Sequence, residues 1–191
     1  MIFKQFRPAL VILIFFALLT GIVYPLATTG LAQILFPYQA NGSLIRQNGK
    51  TVGSSLIGQQ FTDPRYFWGR LSDTSGDPYN ASASGGSNYG VLNPSLQQEV
   101  EAAIAALHAA DPGNTQPIPA DLMTSSGSGL DPNIGIAAAE YQASRVARLH
   151  GISLTQINAL IQQNTHGRIL GIFGEPVVNV LRLNLALDAL K

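Results

Sequence analysis

Cysteine is absent from this chain and charge is scarce. Without cysteine there are no disulfide staples, thiolate metal ligands, cysteine nucleophile or acylated lipoprotein N-terminus, and the redox compartment stays open. Charged side chains make up 12% of 191 residues, against about 25% in an average soluble domain. So sparse a surface charge points to burial against partners. Eleven basic and eleven acidic residues leave no basic footprint, which excludes a nucleic-acid partner, and 46% hydrophobic content excludes a disordered chain.

Signatures of catalysis are missing as well. Gly49-Lys50-Thr51 resembles the end of a phosphate-binding loop, but Leu44 stands where that loop needs glycine. Gly127-Ser128-Gly129 opens like a dinucleotide fingerprint, yet Pro132 occupies its third glycine position. No glycine lies two residues before Ser128, so there is no nucleophile elbow. His108, His150 and His166 are scattered without metal-ligand spacing, and Glu99 and Glu101 point to different faces of one helix. Asp73, Asp77 and Asp131 read as turn and cap formers in preference to ion ligands.

A long apolar run is present. From Pro8 to Leu31 the one ionisable group is the phenol of Tyr24. Roughly 24 helical residues reach about 36 Å, enough for a hydrocarbon core of about 30 Å. Lys4 and Arg7 precede the run and no charge follows until Arg46, so the positive-inside bias predicts a cytoplasmic N-terminus (1–7), a transmembrane helix (8–31) and an extracytoplasmic domain (32–191). Pro25 is predicted to kink the last turns, Tyr24 and Tyr38 to mark the outer interface, and Ala17, Gly21 and Thr29 to permit close helix packing. The rival is a cleaved secretory signal; the run is long for one, and Ala27-Thr28-Thr29 is a poor cleavage match.

Beyond an uncharged neck, Gln47-Asn48-Gly49-Lys50 between short apolar runs predicts a hairpin of 43–46 with 51–57. The segment 62–93 is rich in Gly, Ser, Asn, Asp and Pro and reads as a long loop, functional or held down by a partner. Asn93-Pro94 starts a helix with an apolar stripe at Leu96, Val100, Ile104 and Leu107. Asp131-Pro132 repeats that start for a helix ending at Gly151, Ser153 with Gln156 forms a capping box for a third, and Pro176 opens a last helix running to about Leu190. Four helices and few strands predict one α+β domain.

Several motifs, in order, carry a resemblance along the chain from its apolar helix to its C-terminus. Trp68-Gly69-Arg70-Leu71-Ser72, Ser84-Gly85-Gly86-Ser87-Asn88, Ser126 to Pro132, Gly174-Glu175-Pro176 and Val178 to Leu181 with Leu183-Asn184 resemble the C subunit of the bacterial Kdp potassium-transporting ATPase. Asn133, Gly135 and Val177 depart from the family pattern, which usually has histidine, serine and a basic residue there. The resemblance implies a non-catalytic, single-pass subunit of the bacterial inner membrane, needed for assembly and activity of a high-affinity potassium importer. A channel-like A subunit, a P-type ATPase B subunit that hydrolyses ATP and a small F subunit would be its partners, along with membrane lipid. No Asp-Lys-Thr-Gly phosphorylation motif occurs in this chain. The family is also described as a catalytic chaperone that raises the B subunit's affinity for ATP. By that resemblance Ser84, Gly85, Gly86, Ser87, Asn88, Ser128, Gly129, Asp131 and Gln142 would be nucleotide-contact positions, with no metal and no catalytic residue. The charge bias puts them outside the cell, where ATP is scarce, and coupling can be transmitted without contact. The alternative is a free-standing, membrane-anchored exported binding module.

Overall fold

The computed structural model describes residues 2–190, with side chains from Gln5 onward. The Lys4 charge and the predicted domain end at Lys191 lie outside what is described. The chain divides into two compact units between Leu44 and Ile45.

The first unit is helical. Helix α1 (Ile2–Leu18) passes through a π turn at Leu19–Val23 into α2 (Tyr24–Leu35), and a single turn, α3 (Pro37–Ala40), follows. The π turn has a definite cause. Pro25 has no N–H to donate to Gly21 and its ring crowds that carbonyl, so the ladder widens and the Tyr24 N–H bonds to Leu19 O. Thr20 and Thr28 turn their hydroxyls onto carbonyls of their own helix, at 2.7 Å from Phe16 O and 3.0 Å from Tyr24 O. Neither hydroxyl makes a polar demand on the surroundings. Residues Gln5–Leu35 form one apolar stretch of mean hydropathy 2.6, none of it buried within the chain. That much exposed Leu, Ile, Val and Phe calls for a hydrocarbon solvent.

The second unit is α+β, as patterning predicts. Strands β1 (Leu44–Gln47) and β2 (Lys50–Ser54) pair around Asn48 and Gly49, both at positive φ, the requirement of a tight I′ hairpin. Helix α4 (Pro94–Ala110) starts on Asn93, whose side chain accepts the Ser95 N–H. Three further helices and a small sheet complete the unit: β3 (Asn133–Gly135), α5 (Ile136–His150), α6 (Leu154–Gln163), β4 (Thr165–His166), β5 (Val177–Asn179) and α7 (Val180–Asp188). Strand β5 lies between its two antiparallel neighbours, β3 and β4. Gly135 and Val177 face each other in the β3–β5 register.

Two expected helix starts are corrected. Asp131-Pro132 and Pro176 do not open helices; each leads into a strand, and the helices begin later, at Ile136 and Val180. The physical reason is non-local: the β3–β5 ladder recruits both stretches, and the Asp131 carboxylate closes a local turn by accepting the Asn133 N–H at 3.0 Å. The caps are then Gly135 and Asn179. The predicted second hairpin strand also stops at Ser54, short of Ile57.

Helix α5 is the centre of the core. Ala138, Ala139, Ala143, Val146 and Ala147 are all buried, their small side chains letting α6 (Ile157, Leu160, Ile161) and α7 (Leu183, Leu187) close in, with Ile134 and Val178 of the sheet and Phe67 of the long loop. Gly151, at φ +67°, ends α5, and Ser153 with Gln156 caps α6 reciprocally, both as read from the sequence.

Candidate functional site

The two serine- and glycine-rich stretches come together. The Gly85 N–H donates to Ser128 O at 2.9 Å, Ser84 Oγ to the same carbonyl at 3.1 Å, and Ser125 Oγ lies 3.4 Å from Ser87 Oγ. Gly86 and Gly129 are there because backbone meets backbone. A Cβ on Gly86 would stand 3.1 Å from both Ser126 O and Gly127 O; one on Gly129 would stand 2.6 Å from Gly85 O, at a φ of +66°. Asn88 folds its own turn, donating from Nδ2 to Gly86 O.

A knot of small hydroxyls fastens this pair to the segment before it. Ser72 Oγ donates to Gly129 O at 2.6 Å and accepts the Tyr79 N–H at 2.7 Å. Thr74 Oγ1 donates to Asp77 O and accepts the Asn80 N–H. Tyr79 OH donates to Arg70 O at 2.6 Å; burial, with the Asp131 charge adding to it, pushes this phenol up to about 12. From Phe67 to Ser87 the loop is therefore held down by its own chain, while Val91 and Leu92 stay exposed.

Within the loops about half of the backbone donors are already used, while the N–H groups of Gly86, Ser87, Gly127 and Ser128 make no hydrogen bond among the described residues. The N–H groups of Gly85, Ser126, Gly129, Leu130 and Asp131 all bond to loop acceptors, as do the oxygens of Ser126 and Ser128 to loop N–H groups. A phosphate cradle needs such N–H groups free and convergent. Beside the loops lies an opening of about 460 Å³ lined by Arg70, Ser126, Ser128 and Asp131. Arg70 spends Nη1 on Asp121 Oδ1 at 3.2 Å and Nη2 on Ser125 O at 3.3 Å, leaving Nε buried without a partner.

On another side of Arg70 a cavity of about 470 Å³ faces α4. Asp73 Oδ2 and Glu99 Oε1, from residues lining it, are buried without hydrogen bonds, and burial raises the Glu99 carboxyl, with the Asp73 charge acting the same way. Among the described residues no serine hydroxyl bonds a histidine, and no group of three or more metal-ligating side chains forms.

Gln142 sits on α5, 1% exposed. Its Oε1 accepts the Trp68 N–H at 2.8 Å and Arg145 Nη2 at 2.7 Å; its Nε2 donates to Trp68 O and Ala138 O, both at 3.1 Å. Asn184 of α7 does the same for the residue before: Oδ1 accepts the Phe67 N–H and Nδ2 donates to Phe67 O. Two side-chain amides thus act as a surrogate strand for 67–68. Asn184 is buried on α7 with Val180, Leu181, Leu183 and Leu187, and a polar residue among these apolar ones was the one sequence signal for this clamp. Arg145, 2% exposed, lies with its guanidinium carbon 4.6 Å from the centroid of the Trp68 ring; burial pulls its pKa down to about 10, so it remains charged at neutral pH.

Residues 6–189 match the family model described as KdpC: K+-transporting ATPase, c chain. The potassium-transporting ATPase KdpC subunit of Herpetosiphon aurantiacus is 60% identical over 97% of this chain and 96% of that protein. Those of Polaromonas naphthalenivorans and Methylococcus capsulatus are 62% and 57% identical, covering 97% and 98% of this chain and 94% and 99% of their own lengths. A match over nearly the full length, the apolar helix included, places this membrane-anchored α+β chain in the KdpC family, the c chain of the potassium-transporting ATPase.

Proposed function

We propose that this chain is the accessory subunit that stabilises a Kdp complex from outside the cell, and that it influences ATP use through coupling without holding the nucleotide. The partners in this reading are a channel-like A subunit, a P-type B subunit that performs the hydrolysis, and a small F subunit. The helix at 8–31 would span the inner membrane with residues 1–7 in the cytoplasm, supported by Lys4 and Arg7 before the apolar run and the absence of charge after it until Arg46.

The observation that carries this reading is the state of the serine-glycine loops. The Gly85 and Gly129 N–H groups and Ser84 Oγ are spent on carbonyls of the pair, and Gly86 and Gly129 are required by close backbone approach. Ser84 to Asn88 with Ser128, Gly129 and Asp131 then shape a rigid surface. Gln142, bonded through its amide to Trp68, Ala138 and Arg145, has no amide group left for adenine or phosphate. The Asp131 carboxylate beside the opening would also repel phosphate.

Beyond residue 31 the chain has nine basic and eleven acidic residues, counted from the sequence. This mild negative excess would favour cation approach at the complex's outer mouth. The test is topological and functional together. A Ser87→Cys chain in intact spheroplasts should react with an impermeant maleimide, and removing the domain beyond Ala40 should lower potassium affinity or complex yield. Protection of Ser87→Cys until the membrane is opened, or unchanged transport by the truncated chain, would sink the proposal.

A further inference from the structure

Between β4 and β5 the chain runs out into a narrow finger. Ile169 and Phe173 pair across its tip, and Ile169, Leu170, Ile172 and Phe173 are 72%, 84%, 72% and 62% exposed. None belongs to the core. Single exposed apolar side chains are ordinary, but four large ones in five consecutive positions mark a contact surface.

We propose that this finger inserts into the outer part of a lipid bilayer, at the boundary of headgroups and acyl chains. The tip is apolar on all sides, which suits a fluid medium better than one flat protein face. Most of its N–H groups, those of Ile169, Gly171, Ile172 and Phe173, bond within the finger, to Phe173 O, Arg168 O, Ile169 O and Ile169 O. The Leu170 N–H and the carbonyls of Leu170, Gly171 and Ile172 make no such bond, which sets the insertion at headgroup depth, where water and headgroups satisfy them. Leu170, Gly171 and Gly174 take positive φ, so the turn is tight enough to present the side chains outward. At the base Arg168 and Glu175 close a 2.7 Å ion pair, a neutral polar collar where the apolar tip ends.

A bilayer is also within reach. The proposal rests on the membrane-anchored reading of Gln5–Leu35, after which the chain to Leu44 extends at most about 30 Å. That tether keeps the finger at high effective concentration near lipid, so a modest apolar area suffices for binding.

The chain's lack of cysteine makes the test clean. The full-length Leu170→Cys chain, labelled with an environment-sensitive fluorophore, is reconstituted into phosphatidylcholine vesicles with or without acyl-chain nitroxide lipid. Because Leu170 is 84% exposed, folding loses little by its replacement; Phe173→Cys is the second site. The expected result is a blue-shifted emission, quenched at least about twofold by the nitroxide lipid, and unchanged by added salt or anionic lipid because the collar is neutral. Quenching by aqueous iodide with none by nitroxide lipid overturns the proposal. So does a label reached by neither quencher in the assembled ATPase, where a protein surface would be the occupant. If the anchoring is at fault instead, the chain fails to float with the vesicles at all.

Discussion

Replacing Gly129 with alanine tests whether the serine-glycine loops are built for backbone packing. The new methyl would lie 2.6 Å from both Gly85 O and Thr74 Cγ2 and 3.3 Å from Thr74 N. The residue would also hold φ at +66°. Left-handed backbone costs an L-residue about 1–2 kcal/mol, and forcing a methyl into a packed site about 1–3 kcal/mol. The expected loss is about 2–5 kcal/mol, a large fraction of an ordinary domain's stability. Gly127, two residues away, is the control: nothing lies within 4 Å of a Cβ there, so Gly127→Ala should change stability by less than about 0.5 kcal/mol. The assay is urea unfolding of the full chain in mild detergent, followed through the single tryptophan. Trp68 donates from Nε1 to Asp63 O at 3.0 Å and stacks on Arg145, so its emission changes when the domain unfolds. Equal midpoints for Gly129→Ala and wild type would show that the glycine serves something other than packing.

Gln142→Ala strips the Trp68 N–H and C=O and the buried Arg145 of a partner, and should cost about 3 kcal/mol by the same unfolding assay. Asn184→Ala should cost about 2 kcal/mol by freeing Phe67 N–H and O. Tyr79 is raised from 10.0 to about 12, so its contribution is fully present below pH 10 and is lost as pH rises through 12. Stability measured from pH 9 to 12 should fall by about 2–3 kcal/mol through this group, and Tyr79→Phe should remove that slope. Ser153→Ala removes one half of the α6 capping box and should cost about 1 kcal/mol in the same denaturation experiment.

Local signals were legible in the sequence wherever neighbours in the chain decide the structure. Asn48-Gly49 made its hairpin, Asn93-Pro94 its helix, and Ser153 with Gln156 its box, because each motif satisfies its own backbone. Asp131-Pro132 and Pro176 misled because a proline preceded by an acidic residue suits a strand entry as well as a helix start. The choice was made by a ladder joining residues more than forty positions apart. Three-residue strands are also too short to show alternation. Ser72, Ser84 to Ser87 and Ser126 to Gly129, from three of the motifs that carried the family resemblance, did assemble in space, but sequence alone could not say that Ser84 to Asn88 pack on Ser126 to Gly129. Nor could it show that Gln142 and Asn184 grip adjacent residues of one segment.

Whether the loops hold nucleotide is decided by titrating the purified full-length chain with magnesium ATP in a calorimeter, in detergent and without other subunits. With the Gly85 and Gly129 N–H groups and Ser84 Oγ bonded within the loops and the Asp131 carboxylate beside the opening, no saturable heat is expected at millimolar nucleotide. A one-to-one isotherm that disappears in Ser128→Ala, in a variant whose unfolding midpoint is unchanged, would make the loops a nucleotide site.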